Sequence, residues 1–382
     1  MRILHTSDWH LGRIFHGVHL TNDQAYLLDK FIELVKDIKP DVILVSGDIF
    51  DRSVPPTEAI NLLDDVVSKI LIDYCVPIIM IAGNHDSPDR LGFGSRILKG
   101  RGLNISGKLI TDIKPVVIYD DYGPVNFYTI PYVEVATVRE TFDDKGINVH
   151  DEAMFKVINH IRGSMNTDSR NVLIAHAFVA GGEESESERP LSVGGSSVVN
   201  ASYFKSFDYV ALGHLHRAQR VGAENIRYSG SLMKYSFSEV NHKKGICFIE
   251  MDEKGNVLIE NIELKPKKDL RCIEGYLDEI LKGPKNGENK DDYICVTLKD
   301  EGAILDAMGK LRKVYPNVVH IERPQFTINN DCVGADKDFK KMSEIDLFAS
   351  FYKQVTQSTF TDEYKTVFKN ILDQYYSVMR GE

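Results

Sequence analysis

The first apolar run, "RILHTSDWH", reads as a buried strand that stops in polar residues. Thr21 and Gln24 then stand at capping-box spacing, and Leu27, Leu28, Phe31, Ile32, Val35 and Ile38 recur at helical intervals until Pro40. "DVILVSGD" predicts the next strand. Ile60, Leu63, Val66, Val67 and Ile70 predict a helix from about Thr57, and "VPIIMIAGNHD" a third strand. The order is βαβαβ, with polar residues at each carboxyl strand end. "NVLIAH" and "FDYVALGHLH" repeat the device, the first behind a helix patterned by Met154, Val157, Ile158 and Ile161. Shorter β-type runs ("VVIYD", "VNFYTI", "GICFIEM", "NVLIENIEL") predict a mixed α/β sandwich rather than a purely parallel sheet.

The pattern shifts near Lys265-Pro266-Lys267-Lys268, which reads as a linker. Beyond it, "LRCIEG", a short helix "YLDEILKG", "DYICVTL", a helix with Ile304, Leu305, Met308 and Leu311, and "NVVHIER" outline a small βαβαβ domain. "GPKNGENKDD" is a polar surface loop within it. A polar spacer follows, then two amphipathic helices: one with Leu347, Phe348, Phe351, Tyr352 and Val355, the next with Tyr364, Val367, Phe368, Ile371, Leu372 and Tyr375. Their apolar faces call for a partner. The expected domains are 1–265, 266–325, and a linker with C-terminal helices over 326–382.

Composition narrows the functional classes. At 382 residues and 43% hydrophobic content the chain can bury a large core. It has no apolar run long enough for a membrane span, and "MRILHTSDWH" has no secretory character, so a cytoplasmic protein is expected. The five cysteines are scattered and never CxxC, which argues against a disulfide framework or a structural zinc cluster. A net charge of −10 argues against a stand-alone sequence reader of nucleic acid. It is compatible with a nuclease, because carboxylate metal ligands add negative charge that bound cations offset.

The strand-end residues carry the chemistry. Asp8 and His10 stand at i, i+2 and point to one face; Gly47-Asp48, Gly83-Asn84-His85-Asp86, His176 and Gly213-His214-Leu215-His216 follow in order. Singly, each has a bland explanation, since strand-end Asp and His are common and GD and GN are ordinary turns. Five in sequence, each after a strand, point to a metal centre. Seven of them (Asp8, His10, Asp48, Asn84, His176, His214, His216) amount to ligands for two divalent ions sharing one carboxylate. Mixed nitrogen and oxygen ligation suits Mn²⁺, Fe²⁺ or Zn²⁺ better than Mg²⁺ or Ca²⁺. Such a pair would clamp a phosphate, supply hydroxide and stabilise the leaving oxygen, which predicts phosphoester hydrolysis.

This order of motifs resembles the calcineurin-like metallophosphoesterase superfamily. "MRILHTSDWHLGR", "GDIFDRSVPP", "GNHDSPDR", "SERPLSVGG", "FDYVALGHLHRAQ" and "YSGSLMKYSFSE" are similar to the branch of DNA nucleases that act with an SbcC-type ATPase subunit. The resemblance covers about residues 1 to 245, and the C-terminal layout agrees. It implies a four-layer α/β sandwich of two mixed sheets flanked by helices, with a small α+β capping domain and C-terminal helices. It implies that Asp8, His10, Asp48 and His216 hold one ion and Asp48, Asn84, His176 and His214 the other, Mn²⁺ in each. His85 would then be the general acid, Asp86 its orienter, and neutral histidine ligands would make activity fall in acid. The implied activities are ATP-stimulated 3′ to 5′ double-strand exonuclease and single-strand or hairpin endonuclease action on DNA. The implied assembly is a heterotetramer with two copies each of this chain and SbcC, joined through a nuclease-domain homodimer. A two-metal phosphomonoesterase acting on a small molecule or phosphoprotein is the alternative. Arg189 and Arg217 are candidate substrate contacts, Asp51 reads either as an Asp–Arg pair holding its loop or as a catalytic member of the centre, and "GGEESESERPLSVGG" reads as a mobile loop. The near-match to a Walker A spacing at Gly102–Lys108 ends in Leu109, which cannot ligate Mg²⁺, so ATP belongs to the partner.

Overall fold

Two six-stranded mixed sheets follow from the apolar runs. In the computed structural model the described residues are 1–189, 191, 197–285, 287–302, 304–323, 343–356 and 358–380, without the side chains of 354, 355 and 377–380. The spacer at 326–342 and the pair Gly194-Gly195 therefore lie outside the described residues, as does the Val355 side chain. The chain divides into two units, Met1–Leu270 and Arg271–Glu382.

In the first unit, one sheet runs Val257–Glu263, Gly245–Met251, Arg2–Thr6, Val42–Val45, Ile78–Ile81, Leu103–Ser106. The other runs Gln219–Val221, Ala223–Tyr228, Tyr209–Gly213, Arg170–His176, Gly123–Ile130, Val116–Asp120. Each has four parallel strands in sequence and antiparallel pairing at its margins. Alternate residues decide which face is which. Ile3, Val42, Leu44, Ile79 and Ile81 of the first sheet pack with Val125, Phe127, Val172, Ile174 and Ala211 of the second in one dry layer between them. The outer face of the second sheet is covered by the helix His150–Ser164, whose Met154, Val157, Ile158 and Ile161 are buried as their spacing requires. On the first sheet the residues of opposite parity, Leu4, Ile43, Val45 and Met80, are also buried. Helices flank the sheets, so the four layers expected from the resemblance are present.

Two details of the first unit depart from expectation. Helix Thr21–Ile38 begins on Thr21 itself, and no side chain caps it. Gln24 is fully buried instead; its amide donates to the carbonyls of Trp9 and His10 and accepts from Gly12 N–H, bracing the loop that carries His10. Helix Thr57–Ser68, prolonged by the turn Lys69–Asp73, buries Val66 and Ile70 but leaves Ile60 and Ile72 exposed along an apolar groove of ≈ 1100 Å³.

The second unit holds a three-stranded sheet, Leu270–Gly275, Tyr293–Leu298 and Val318–Glu322, with helices Leu277–Ile280 and Ala307–Arg312. Its core gathers Ile280, Ile294, Val296, Leu298, Leu311 and Val318. The second helix is shorter than Ile304 and Leu305 predicted: Asp306, at φ +49°, caps it by accepting Gly309 N–H, and Leu305 stays exposed. Helices Glu344–Thr356 and Asp362–Arg380 pack through Phe348 stacked on Phe368, centroids 4.0 Å apart, leaving Phe351, Val367, Ile371 and Tyr375 exposed.

Candidate metal centre

Every chemistry-bearing residue leaves a parallel strand at its carboxyl end, where open α/β sheets place their ligands. The loop after Arg2–Thr6 and the loop after Val42–Val45 run side by side: Asp8 N–H donates to Gly47 O, His10 N–H to Asp48 O and Leu11 N–H to Ile49 O, at 2.9 to 3.0 Å. That ladder sets Asp8 and His10 against Asp48. From the second sheet, His214 N–H donates to the Asp8 carboxylate at 3.0 Å, tying the two sets of loops together. The approach is close enough to exclude a methyl group at two glycines. A Cβ on Gly83 would lie 2.1 Å from Asp48 Oδ1, and one on Gly213 would lie 1.9 Å from Ser46 O. Asp8, His10, Asp48 and His214 all hold positive φ, a conformation that costs energy in residues other than glycine and collects at functional sites.

Asp8, His10, Asp48, His176, His214 and His216 are each at most 2% exposed. Asp8, His10 and His216 bring ligand atoms within 4.8 Å of one another, and so do Asp8, Asp48 and His176. Asp8 stands in both sets, and Asp48 Oδ2, of the second, lies 3.6 Å from His176 Nε2 and also 3.7 Å from His10 Nε2 of the first. Asn84 joins the second set through Oδ1, 2.9 Å from His176 Nε2. A third grouping joins His10 with Asp51 and His85, and the His214 ring, 5.5 Å from that of His176, is in none of the three.

The hydrogen bonds say which ring nitrogens are free. His176 Nδ1 donates to Ser46 O at 2.9 Å, which leaves its Nε2 as a lone pair facing Asn84 Oδ1, acceptor against acceptor. Ser187 Oγ gives its hydrogen to Glu239 and so accepts from His216 Nδ1, which turns His216 Nε2, also a lone pair, toward His10 at 3.0 Å. His10 Nδ1 and His214 Nε2 are buried without a hydrogen-bond partner. Burial, then repulsion from Asp48, raises the Asp8 pKa well above the carboxylate range. Burial depresses His10, His176 and His214 and keeps them neutral, as ligands must be. Facing acceptors, orphaned imidazole nitrogens and paired carboxylates are the features that bound cations resolve, and the nitrogen–oxygen donor set fits ions of the Mn²⁺, Fe²⁺ and Zn²⁺ kind.

His85 is half-buried at the mouth of this centre, its ring 4.7 Å from that of His10. Its Nδ1 donates to the carbonyl of Asp51 at 2.7 Å. The expectation that Asp86 orients His85 is therefore corrected. Asp86 accepts three backbone N–H groups, from Ile49 at 3.1 Å, Phe50 at 2.9 Å and Gly83 at 2.9 Å, and so locks the Asp48 loop to the Asn84 turn. Burial pushes its pKa up to about 7, with Asp48 adding to the rise and the three amides opposing it. Asp51 pairs with Arg13 at 3.0 Å rather than with its neighbour Arg52.

Of the two arginines, Arg217 is exposed and pairs with Glu183. Arg189 is exposed and close enough to Tyr132 to offset part of the rise that burial gives that phenol. The segment before it is no free loop: Ser187 and Glu188 hold the ring and the amide of His216. Pattern reading missed Ser187, Glu239 and Lys244 as supports of the centre; "SERP" and "SFSE" carried a resemblance without a role.

A family model described as calcineurin-like phosphoesterase matches residues 1–218. A second, SbcD_C, described as type 5 capsule protein repressor C-terminal domain, matches residues 266–356. The SbcD subunit of the nuclease SbcCD from Staphylococcus saprophyticus is 37% identical over 361 residues, covering 94% of this chain and 95% of that protein. The chain belongs to the SbcD family of calcineurin-like phosphoesterases. It is a hydrolase of phosphoester bonds built for two divalent metal ions. Among solved structures, a Thermus thermophilus protein, TT1561, is similar at a TM-score of 0.38 and 15% identity, over 68% of this chain and 98% of that one. A dimetal phosphatase from Danio rerio is similar at a TM-score of 0.41 and 14% identity, over 69% of this chain and 99% of that one. No helix among the described residues is long and apolar enough to cross a membrane.

Proposed function

We propose that this chain is a Mn²⁺-dependent DNA phosphodiesterase, the nuclease subunit of an SbcCD-type complex. Its activities are 3′ to 5′ double-strand exonuclease action stimulated by ATP and endonuclease action on single strands and hairpins. The observation that supports the reading is Asp48 Oδ2, which is within reach of an imidazole of each set, 3.7 Å from His10 Nε2 and 3.6 Å from His176 Nε2. Asp8, His10, Asp48 and His216 would hold one ion; Asp48, Asn84, His176 and His214 the other. Two such ions supply charge neutralisation for a phosphodiester and an activated water at neutral pH. The chain's own residues do the rest. Asn84, a neutral oxygen donor, keeps the site from becoming too anionic for a phosphodiester. His85, held at Nδ1 by Asp51 O, would act as the imidazolium, whose second proton sits on Nε2; it passes that proton to the departing oxygen and is left as the neutral ring still bonded to Asp51 O. Asp86 supports this by fixing the loops rather than by touching the imidazole.

The partner assignments extend the same reading. Residues 266–325 form the capping, DNA-contacting domain, and 326–382 the linker and helices that bind the SbcC ATPase; the exposed Phe351, Val367, Ile371 and Tyr375 support this. A second copy of this chain covers the apolar groove around Ile60, Ile72 and Phe93, which gives the homodimer within a heterotetramer. Arg189 and Arg217 contact the DNA backbone near the centre. The test is purified full-length chain with Mn²⁺ on linear duplex, hairpin and single-stranded DNA, with and without SbcC and ATP. Cleavage lost in Asp48→Ala and His85→Ala supports the reading; hydrolysis of nucleotides or phosphoprotein but of no DNA refutes it.

A further inference from the structure

Three side chains behind His216 take no direct part in the proposed reaction. Ser187 Oγ stands 2.6 Å from His216 Nδ1 and gives its hydroxyl hydrogen to the Glu239 carboxylate. Glu239 is fully buried, and Lys244 Nζ meets its charge at 2.5 Å. The same ammonium, on a side chain only 4% exposed, donates to the carbonyl of His216 at 2.5 Å and to Ser231 Oγ at 2.9 Å. One ion pair thus grips His216 twice, by its backbone through Lys244 and by its ring through Glu239 and Ser187.

Stability alone gives no reason for this arrangement. Taking a carboxylate and an ammonium out of water is costly, and replacing a buried pair with well-packed apolar residues is often neutral or stabilising. Nor does an ion pair that only closes a core need a hydroxyl between its carboxylate and an imidazole. Here that hydroxyl has one consequence: having donated to Glu239, it can only accept from the ring, so Nδ1 carries the proton and the Nε2 lone pair faces His10 and Asp8. A carboxylate behind an imidazole also raises its basicity as a ligand. His176, on the other side of the centre, is fixed by the Ser46 carbonyl, with no charge behind it.

We infer that Glu239, acting through Ser187 and balanced by Lys244, is a positioning residue that sets the affinity of the ion on the His216 side and leaves the Asn84–His176 side untouched. The inference rests on the two-ion reading. Its second consequence is that the segment Ser187–Glu188, which holds both the ring and the amide of His216, links the conformation of the acidic loop to metal occupancy.

The test is calorimetric titration of the full-length chain with Mn²⁺ for the wild type, Ser187→Ala, Glu239→Gln and Ser187→Thr. Wild type should bind two ions. Ser187→Ala and Glu239→Gln should keep one site at wild-type affinity and weaken the other by about 10- to 100-fold, and Ser187→Thr, which retains the hydroxyl, should restore it. Ser187→Ala leaves the Glu239–Lys244 pair in place, so it reports ring orientation even where Glu239→Gln lowers stability. Unchanged affinity at both sites in Ser187→Ala overturns the inference, and so does equal weakening of both. A wild-type chain that binds fewer than two ions overturns the two-ion reading instead, which keeps the two failures apart.

Discussion

The two sides of the metal centre hold the same kind of ligand by different means. On one side His176 is oriented by a main-chain carbonyl and Asn84 is set by the turn after its strand, so the backbone itself is the scaffold. On the other, His216 is oriented by side chains distant in sequence, Ser187 being 29 residues away, backed by a buried ion pair. A backbone-held ligand moves only if the sheet moves, whereas a side-chain-held ligand can be retuned by one substitution. Asp48 Oδ2 is within 3.7 Å of an imidazole on each side, the common group in the proposed centre, and glycines at 83 and 213 allow the two sides to meet.

Asp48→Ala should have the largest effect, because it removes the group common to both sides: DNA cleavage is expected to vanish, a loss larger than that of any single imidazole. His85→Ala comes next, with a fall of about 10²- to 10⁴-fold in cleavage rate and unchanged binding of two ions; loss of an ion would mean that His85 is itself a ligand. Gly83→Ala strikes the junction rather than either side. With a Cβ 2.1 Å from Asp48 Oδ1, it should cost about 1–3 kcal/mol in denaturant unfolding as well as activity, and an unperturbed variant would mean that the loops yield more readily than this contact implies.

The smallest effect serves as a control far from the centre. Asp120 accepts from Arg170 at 2.6 and 2.8 Å and pairs with the chain's amino terminus at 2.9 Å. Those bonds, Arg170 first, hold its carboxyl well below the ordinary 3.8. A depressed folded pKa stabilises the fold above the unfolded value and stops doing so as pH falls through the folded one. Asp120→Asn should therefore cost about 2 kcal/mol near neutral pH, and the gap to wild type should close as pH falls below about 4. Mn²⁺ binding should be unchanged, and any change would mean that sheet margins influence the centre.

The proposed ligands could be picked out because each follows an apolar run, where the patterning both predicts the strand and locates its polar end. The two sheets were legible for the same reason. What escaped is what depends on distance in space. Ser187 lies 29 positions from His216 and 52 from Glu239, and no local pattern connects them. Asp86 follows His85 directly, so proximity along the chain suggested an orienter, but its carboxylate turns to the amides of the neighbouring loop. Gln24 has capping-box spacing yet serves the His10 loop, because burial sets its amide against the Trp9 and His10 carbonyls and the Gly12 N–H. Leu305 fits a helical stripe, and Asp306 starts the helix after it. In each case a tertiary bond or a cap outweighed a local preference.

In the proposed centre one carboxylate, that of Asp48, joins two metal sites. Electron paramagnetic resonance of the full-length chain loaded with two equivalents of Mn²⁺ tests it most directly. A spin-coupled Mn²⁺ pair in the wild type, absent in Asp48→Ala, is the predicted result; two bound ions with the spectrum of isolated Mn²⁺, or a coupled pair that survives Asp48→Ala, would contradict it.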